Sequence, residues 1–378
     1  LSSDLSTSPP SGFEADRTLP ITVKLYLCLE TMSKKPTIAV VGSLNYDLVT
    51  RVPRLPELGE TLTAKSFGTN CGGKGANQAV AAARLADRCE KIDVKMVGAV
   101  GGDGFGNEMK EQMKKQGVDV EDVRVVDGMS SGVAVIVVDD TTGDNRIMIT
   151  PGANASVTPS SLPSWLFNPS TAPDIIVLQL EIPLETVQYI INQSSQIQPR
   201  IPIIFNPAPA VPLDESIYSK VEILILNETE AALLSGVDFA VREESAERQD
   251  TLKRKAKEAV DWFVKRGARD IVITLGAYGA YYYDHQSGDQ GWFNAHHIAN
   301  VVDSTGAGDT FVGAIAINYV ELKHAEREFC IEGGVSVATD AAAWSVQRSG
   351  TWRSMPLGKD LREPPADNSS SSSKSVLH

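Results

Sequence analysis

Cysteine is scarce and unpatterned in this sequence. The four cysteines, Cys28, Cys71, Cys89 and Cys330, form no CxxC pair and no metal-ligand spacing. That excludes a zinc ribbon or a disulfide scaffold and reads as reduced, structural thiols in a cytosolic protein. Histidine is also sparse: His285, His296, His297, His324 and His378 have no metal-like spacing to Asp, Glu or Cys. Positive charge falls short of negative, with 35 Lys and Arg against 48 Asp and Glu, a net charge of −13. Neither nucleic acid nor an anionic membrane attracts such a chain. Any anionic substrate must therefore be held by local donors, such as helix N-termini and single Lys or Arg side chains. No apolar run is long enough to span a bilayer. Residues 21–29 are apolar but short, are interrupted by Lys24, and lack the basic leader and cleavage site of a signal peptide. No GxGxxG follows a strand.

What is present is the composition of a globular protein, 42% hydrophobic and 22% charged over 378 residues. Short apolar runs at 38–41, 94–97, 175–178, 201–205, 223–226 and 271–274 suit strands of a parallel sheet covered on both faces. Pro202 lies close enough to the start of its run to be tolerated. Helical patterns at 77–86, 106–116, 249–266, 309–322 and 330–346 alternate with them. The expected fold class is α/β, a doubly wound, mostly parallel sheet flanked by helices. Two patches break the alternation: 47–67 and 132–150 are β-only, the second a hairpin turning at Thr142-Gly143-Asp144-Asn145. A small separate sheet, usable as a lid, accounts for both; decorative hairpins are the alternative. The chain opens on Leu1, and Met32 stands just before the first strong strand, so Met32 is an expected natural start. The expected organisation is an N-terminal extension over 1–34, an α/β domain over 35–362 carrying the β lid, and a disordered serine-rich tail over 363–378.

The strongest local signal is Asp303-Ser304-Thr305-Gly306-Ala307-Gly308-Asp309-Thr310, at the head of an apolar helix. Gly306 and Gly308 let the backbone turn tightly and approach a ligand. Successive N–H groups at a helix N-terminus form an anion hole suited to phosphate. Asp309, beside that hole, is placed to take a proton from an attacking hydroxyl. Positioning, charge neutralisation and a base are what phosphoryl transfer requires. The competing explanation is an Asp that merely stabilises a helix start.

A second glycine-rich helix start, Cys71-Gly72-Gly73-Lys74-Gly75-Ala76-Asn77-Gln78, is not a GxxxxGK[ST] Walker A loop, since Gly75 stands where that loop has its Ser or Thr. Its glycines allow the backbone to lie against a small ligand, and the Asn77 amide both donates and accepts, as a sugar hydroxyl needs. A plain glycine turn before a helix is the alternative. Gly42-Ser43-Leu44-Asn45-Tyr46-Asp47 closes the first strand and Glu181 follows another, where open α/β sheets bind ligands. Asp47 can accept from two vicinal hydroxyls and Asn45 adds a third contact; any one of these alone is more simply a loop polar residue. Asn227-Glu228-Thr229-Glu230 suits a hydrated Mg²⁺ carried with nucleotide phosphates, or a helix N-cap with Glu230 at its third position, or both. The turn Thr274-Leu275-Gly276-Ala277-Tyr278-Gly279 ends the next strand and is placed to border an adenine or ribose.

Together these residues resemble the ribokinase-like carbohydrate kinase superfamily, from about Lys35 to Pro356. Gly72–Gln78 and Asn206-Pro207-Ala208-Pro209-Ala210 are similar to ribokinases rather than to adenosine kinases or fructokinases, and 42–47 has a fungal character. The resemblance implies ATP-dependent phosphorylation of D-ribose at the 5-hydroxyl, with Asp309 as general base. Kinases of deoxyribose, fructose or adenosine are the alternatives within the class; a non-catalytic sugar sensor on the same scaffold is the alternative outside it. The implied sugar contacts are Asn45, Tyr46, Asp47, Gly73, Lys74, Gly75, Ala76, Asn77, Glu181 and Asp309. The implied nucleotide contacts are Asn227, the six residues Thr274 to Gly279, Gly306, Ala307, Gly308 and Thr339. Mg²⁺ is implied near Glu230. K⁺ is implied at Asp303, Thr305, Ser345, Arg348, Gly350 and Ser354, several acting through backbone carbonyls. The lid is implied to pair two chains into a homodimer. Expected partners are D-ribose and ATP, with no nucleic acid and no membrane, in the cytoplasm, with the nucleus as a further compartment. The chain departs from the family pattern in the charged stretch 241–254, where the helix starts late or carries an exposed loop. It departs again at Trp352 and Arg353, where smaller residues are usual.

Overall fold

Alternate residues of a strand face opposite directions, and in the central strands here both directions are buried. Ile38 and Val40 pack into one hydrophobic core, Ala39 and Val41 into another, and all four are fully buried. The same division splits Ile175 and Val177 from Ile176 and Leu178, and Ile223 and Ile225 from Leu224 and Leu226. These strands therefore read as continuous apolar runs rather than as amphipathic ones. Each such Val, Ile or Leu contributes about 1.5–3 kcal/mol on full burial.

The computed structural model describes residues 35–86, 92–142, 144–241 and 246–362. The expected extension 1–34 with Met32, the run 21–29, Cys28, Cys89, Gly143, His378, part of 241–254 and the tail 363–378 lie outside the described residues. The strands are β1 (Thr37–Val41), β2 (Asn45–Val52), β3 (Ser66–Gly72), β4 (Asp93–Gly101), β5 (Val123–Val126), β6 (Gly132–Asp139), β7 (Asn145–Thr150), β8 (Ile175–Leu178), β9 (Ile203–Phe205), β10 (Ile223–Asn227), β11 (Asp270–Thr274), β12 (Ala280–Tyr283) and β13 (Gln290–Phe293). The α-helices are α1 (Lys74–Leu85), α2 (Gly104–Lys115), α3 (Leu184–Gln196), α4 (Glu228–Ser235), α5 (Ala246–Val264), α6 (Ala307–His324), α7 (Ile331–Ser345) and the single turn α8 (Thr351–Ser354).

A nine-stranded sheet runs in the order β13-β12-β11-β10-β9-β8-β1-β4-β5. It is parallel from β5 to β11, and β12 and β13 complete it as an antiparallel edge. Helices α1, α2, α6 and α7 contribute to one core, α3 and α5 to the other. The chain leaves β1 toward β4 on one side and returns at β8 on the other. That reversal opens a crevice at the carboxyl ends of β1 and β8, the usual ligand position in open α/β sheets. The expected doubly wound α/β fold is therefore what the chain adopts.

The patch 132–150 and residues 45–72, which overlap the expected patch 47–67, form a second, four-stranded sheet of order β3-β2-β6-β7. Strand β3 lies mostly beyond residue 67, and β2 and β6 pair in parallel from Asn45 opposite Gly132. Every residue of β7 is exposed. Helix α5 begins at Ala246, before the expected 249, and β9 begins just after Pro202, which lacks the N–H a strand would use. Helix α3 and strands β5, β12 and β13 have no counterpart in the sequence-based expectation, whereas α4 starts where Asn227 and Glu230 read as a helix N-cap. Helix α3 starts after Pro183 with no side-chain cap and carries Thr, Gln, Asn and Ser, which dilute its apolar stripe.

Candidate active site

Helix α6 opens at Gly306, whose φ of 77° lies in the left-handed region that glycine adopts without strain. Its first intrahelical bond runs from the Thr310 N–H to the Gly306 carbonyl, at 2.8 Å. The N–H groups of Gly308 and Asp309 thus have no partner within the helix. Asp309 is buried, and its carboxylate faces α1: Oδ2 accepts from Asn77 Nδ2 at 2.8 Å and Oδ1 from Gln78 Nε2 at 2.9 Å. The two helices touch closely, since a Cβ at Gly313 would lie 2.6 Å from Ala81 Cβ. Both donors to Asp309 are held from behind. Trp352 Nε1 donates to Asn77 Oδ1 at 2.8 Å, and Gln179 Nε2 donates to Gln78 Oε1 at 2.6 Å. Gln78 Nε2 also donates to Asn206 Oδ1, and Asn206 Nδ2 donates to the Ile225 carbonyl.

The start of α1 is pressed against the end of β1. The Ala76 N–H bonds the Ser43 carbonyl, and a Cβ at Gly75 would meet Ser43 N at 2.5 Å. Gly73, at φ 90°, lies as close to Asn45 N, 2.6 Å from where its Cβ would be. Glu181 gathers this corner: its Oε2 accepts from Ser43 Oγ, Asn45 Nδ2 and Lys74 N. Asn154, far along the chain, brackets Leu44 through both backbone groups and donates to Asn45 Oδ1 at 2.8 Å. Asp47 is half-buried on β2. Burial, then the charges of Glu181 and Asp309, push its carboxyl up to about 7. Burial works to lower the Lys74 ammonium, but the carboxylates of Asp309, Glu181 and Glu230 outweigh it and leave that pKa above its ordinary value. Lys74 is thus the cation among the acids of this crevice.

Not every expected residue is brought to this point. Strand alternation turns Tyr46 away from Asn45 and Asp47. Its ring stacks on Phe105 at 4.2 Å and its hydroxyl donates to Glu108. Asn227 and Thr274 lie opposite each other at the ends of β10 and β11. Asn227 and Glu230 form a capping box: Glu230 N donates to Asn227 Oδ1, while the Glu230 carboxylate accepts from Asn227 N and Nδ2. Burial raises the Glu230 pKa. Leu275 is buried in the core, while Gly276 and Ala277 are exposed and Tyr278 has the Arg248 guanidinium 5.4 Å from its ring centroid. Thr339 is buried on α7.

The loops before α6 and after α7 are joined. Val302 N and Asp303 N both donate to the Val346 carbonyl, and Asp303 accepts from Thr305 N through Oδ1 and from Gly350 N through Oδ2. The carbonyls of Ser345 and Gly350 accept from Arg348 N and Ser354 N. The Arg348 guanidinium stacks over Trp344 at 4.2 Å and donates to the Trp344 carbonyl. Among the described residues no group of three or more His, Cys, Asp or Glu side chains is arranged to hold a metal, and Cys71 and Cys330 are free thiols. No described helix is long and apolar enough to cross a membrane.

Residues that the sequence analysis did not assign to the site join it here: Ser43 and Asn206, which stood inside quoted runs without a role, Trp352, which stood only as a departure, and Asn154 and Gln179. Ser43 and Gln179 follow strand ends, a signal that was available; Asn154 and Trp352 carry no such mark.

Comparison with known proteins places these residues in a group. The sequence profile described as pfkB family carbohydrate kinase matches residues 35–357. A ribokinase of Schizosaccharomyces pombe is 36% identical over 321 residues, covering 84% of this chain and 94% of that protein. A deoxyribokinase of Salmonella typhi is 35% identical over 327 residues, covering 86% and 97%. Among solved structures, Arabidopsis thaliana ribokinase complexed with ribose and ATP superposes with a TM-score of 0.72 at 30% identity, covering 87% of this chain and 98% of that one.

Proposed function

The chain belongs to the pfkB family of carbohydrate kinases, and on that premise we propose that it is an ATP:D-ribose 5-phosphotransferase with Asp309 as the base. One observation carries the assignment: the buried Asp309 carboxylate, held by Asn77 and Gln78, sits at the same helix start that offers the N–H groups of Gly308 and Asp309. A Cβ at Gly308 would meet nothing within 4 Å, so packing makes no demand for glycine there. Close backbone approach by a phosphate does.

In the proposed reaction Asp309 accepts the proton of the ribose 5-hydroxyl as that oxygen bonds the γ-phosphorus, and the bond from phosphorus to the bridging oxygen breaks to release ADP. The first turn of α6 and the Lys74 ammonium oppose the negative charge on the phosphoryl oxygens. Asn45, Asp47, Asn77 and Glu181, with the backbone of 73–76, hold the sugar. The Asn77 amide has one lone pair and one N–H left beyond its bonds to Trp352 and Asp309, enough to accept from and donate to hydroxyls. Tyr46 serves by its backbone alone. Asn227, Thr274–Gly279 and Thr339 border the nucleotide.

When bound, Mg²⁺ neutralises the phosphates. Both oxygens of Glu230 are engaged with Asn227, so Glu230 fits an outer-sphere role through water. K⁺ fits the carbonyls of the joined loops, at Thr305, Ser345, Arg348, Gly350 and Ser354, with Asp303 bracing them. The second sheet acts as a lid. Its exposed Phe67, Ile147, Met148 and Ile149 suit pairing with a second copy. The expected compartment is the cytoplasm, with the nucleus in addition.

The likeness to both a ribokinase and a deoxyribokinase makes the 2-hydroxyl the group to test. ADP release measured with ribose, deoxyribose, fructose and adenosine, with and without K⁺, tests the assignment. Ribose is expected to turn over fastest, since a sugar lacking one hydroxyl leaves Asp47 half-paired. Fast turnover of another substrate beside slow ribose reassigns the sugar. No ADP release with any of them supports a sensor instead.

A further inference from the structure

We infer that Trp352 is a positioning residue that fixes the orientation of the base's donor through Asn77; this rests on Asp309 being the base. An indole N–H only donates and a carboxylate only accepts. Asn77 lies between these two one-way neighbours, with its Oδ1 on Trp352 and its Nδ2 on Asp309, both at 2.8 Å. Its amide therefore has one satisfied orientation. Reversed, it would set a carbonyl against the carboxylate and an N–H against an N–H, in a place where Asn77 and Trp352 are each 7% exposed. The second donor is fixed less strictly. Gln78 is held by Gln179 and Asn206, both amides, with direction supplied by the bond from Asn206 to the Ile225 carbonyl.

Trp352 is itself carried by a braced segment. It belongs to α8, whose first turn closes with the Ser354 N–H on the Gly350 carbonyl, while the Gly350 N–H reaches Asp303 at the approach to α6. Thr351, beside it, packs against Gly306, where a Cβ would come within 2.7 Å of Thr351 Cγ2. The segment that reads as a departure from the family pattern thus embraces the first turn of the base's own helix and reaches the base through one indole nitrogen.

Two substitutions separate this role from packing. Trp352→Phe keeps most of the ring volume and removes the N–H. Trp352→His loses the benzo ring but returns an N–H, because imidazole Nε2 occupies the position of indole Nε1. With Trp352→Phe, kcat is expected to fall about tenfold, the rate equivalent of one neutral hydrogen bond, while KM for ATP stays within about twofold. Trp352→His is expected to recover most of that loss despite its smaller ring. Wild-type kcat in Trp352→Phe, or a ranking that follows ring volume with Phe above His, overturns the inference. If either variant fails to fold, the wild-type protein still decides: the Trp352 indole proton, assigned by NMR, should exchange slowly with solvent, and fast exchange overturns the inference as well. Near-normal turnover by Asp309→Asn would remove the base assignment and this inference with it. An inactive Asp309→Asn beside a fully active Trp352→Phe removes only the inference.

Discussion

A methyl group added at Gly75 would meet the Ser43 backbone nitrogen at 2.5 Å, whereas one added at Gly308 would meet nothing within 4 Å. Both glycines stand in the first turn of a buried helix, and both helices converge on Asp309. Around α1 the protein itself requires glycine, because the end of β1 is pressed against the helix. At Gly308 packing requires nothing, so a demand for glycine there would come from the proposed phosphate. Two loops of similar composition thus do different work. One shapes the scaffold; the other leaves room above it.

The largest expected effect falls on the α6 side. Asp309→Asn should lower kcat by roughly 10³-fold or more while sugar binding is largely kept, the usual scale for losing a positioned base or transition-state donor. Turnover kinetics with equilibrium ribose binding checks it. Binding lost together with rate would make Asp309 a sugar contact first. Gly308→Ala sharpens the comparison. It should leave the thermal midpoint unchanged or raised, since Ala is favoured over Gly in a helix, yet lower kcat/KM for ATP about tenfold, the equivalent of one displaced hydrogen bond. Gly75→Ala should do the reverse at first order, costing about 1–3 kcal/mol of stability as an overpacked contact. If Gly75→Ala melts like wild type, or Gly308→Ala turns over ATP like wild type, the distinction fails.

The smallest effect concerns Asp47, which sits beside the α1 loop. Its carboxyl is raised from 3.8 to about 7 in the folded chain. A raised acid holds its proton more tightly folded than unfolded, so its favourable contribution is complete below about 4 and is lost as pH rises through about 7. Asp47→Asn should therefore melt a few degrees above wild type at pH 8, with the gap closing toward pH 4. In the wild type KM for ribose should fall as pH rises through about 7, because the carboxylate accepts from both hydroxyls and the acid does not. A KM that is flat across that range separates Asp47 from the sugar.

Both glycine-rich helix starts, the strand runs and the two β-only patches were legible because each is written locally. Which glycines answer to the scaffold was not, since Gly75 and Gly308 differ only in what lies opposite them. Tyr46 was legible in principle: period-two alternation on β2 puts it on the face away from Asn45 and Asp47. Trp352 was not, because its partner Asn77 is 275 positions away in the chain and nothing local marks the bond. The sequence shows only its bulk. Asn154 is hidden in the same way, 110 positions from Leu44. Strands β12 and β13 lay outside the expected alternation because an antiparallel edge needs no helix between its strands.

The root of the second sheet has a mechanical consequence. Only Gly42, Ser43 and Leu44 separate β1 from β2, all three are buried, and Ser131 enters β6 with its side chain bonded to Asp103. The sheet is a cantilever clamped at one end, with no slack joint at its base. Any closing motion has to come from flexing of the strands themselves, so displacement grows with distance from the clamp. Over the length of β2, about 25 Å at ~3.3 Å per residue, a tilt of about 10° moves the tip by about 4 Å and the root hardly at all. Spectroscopic labels at the distal turn near Leu58 would report such a tilt, and labels at Asn45 would not.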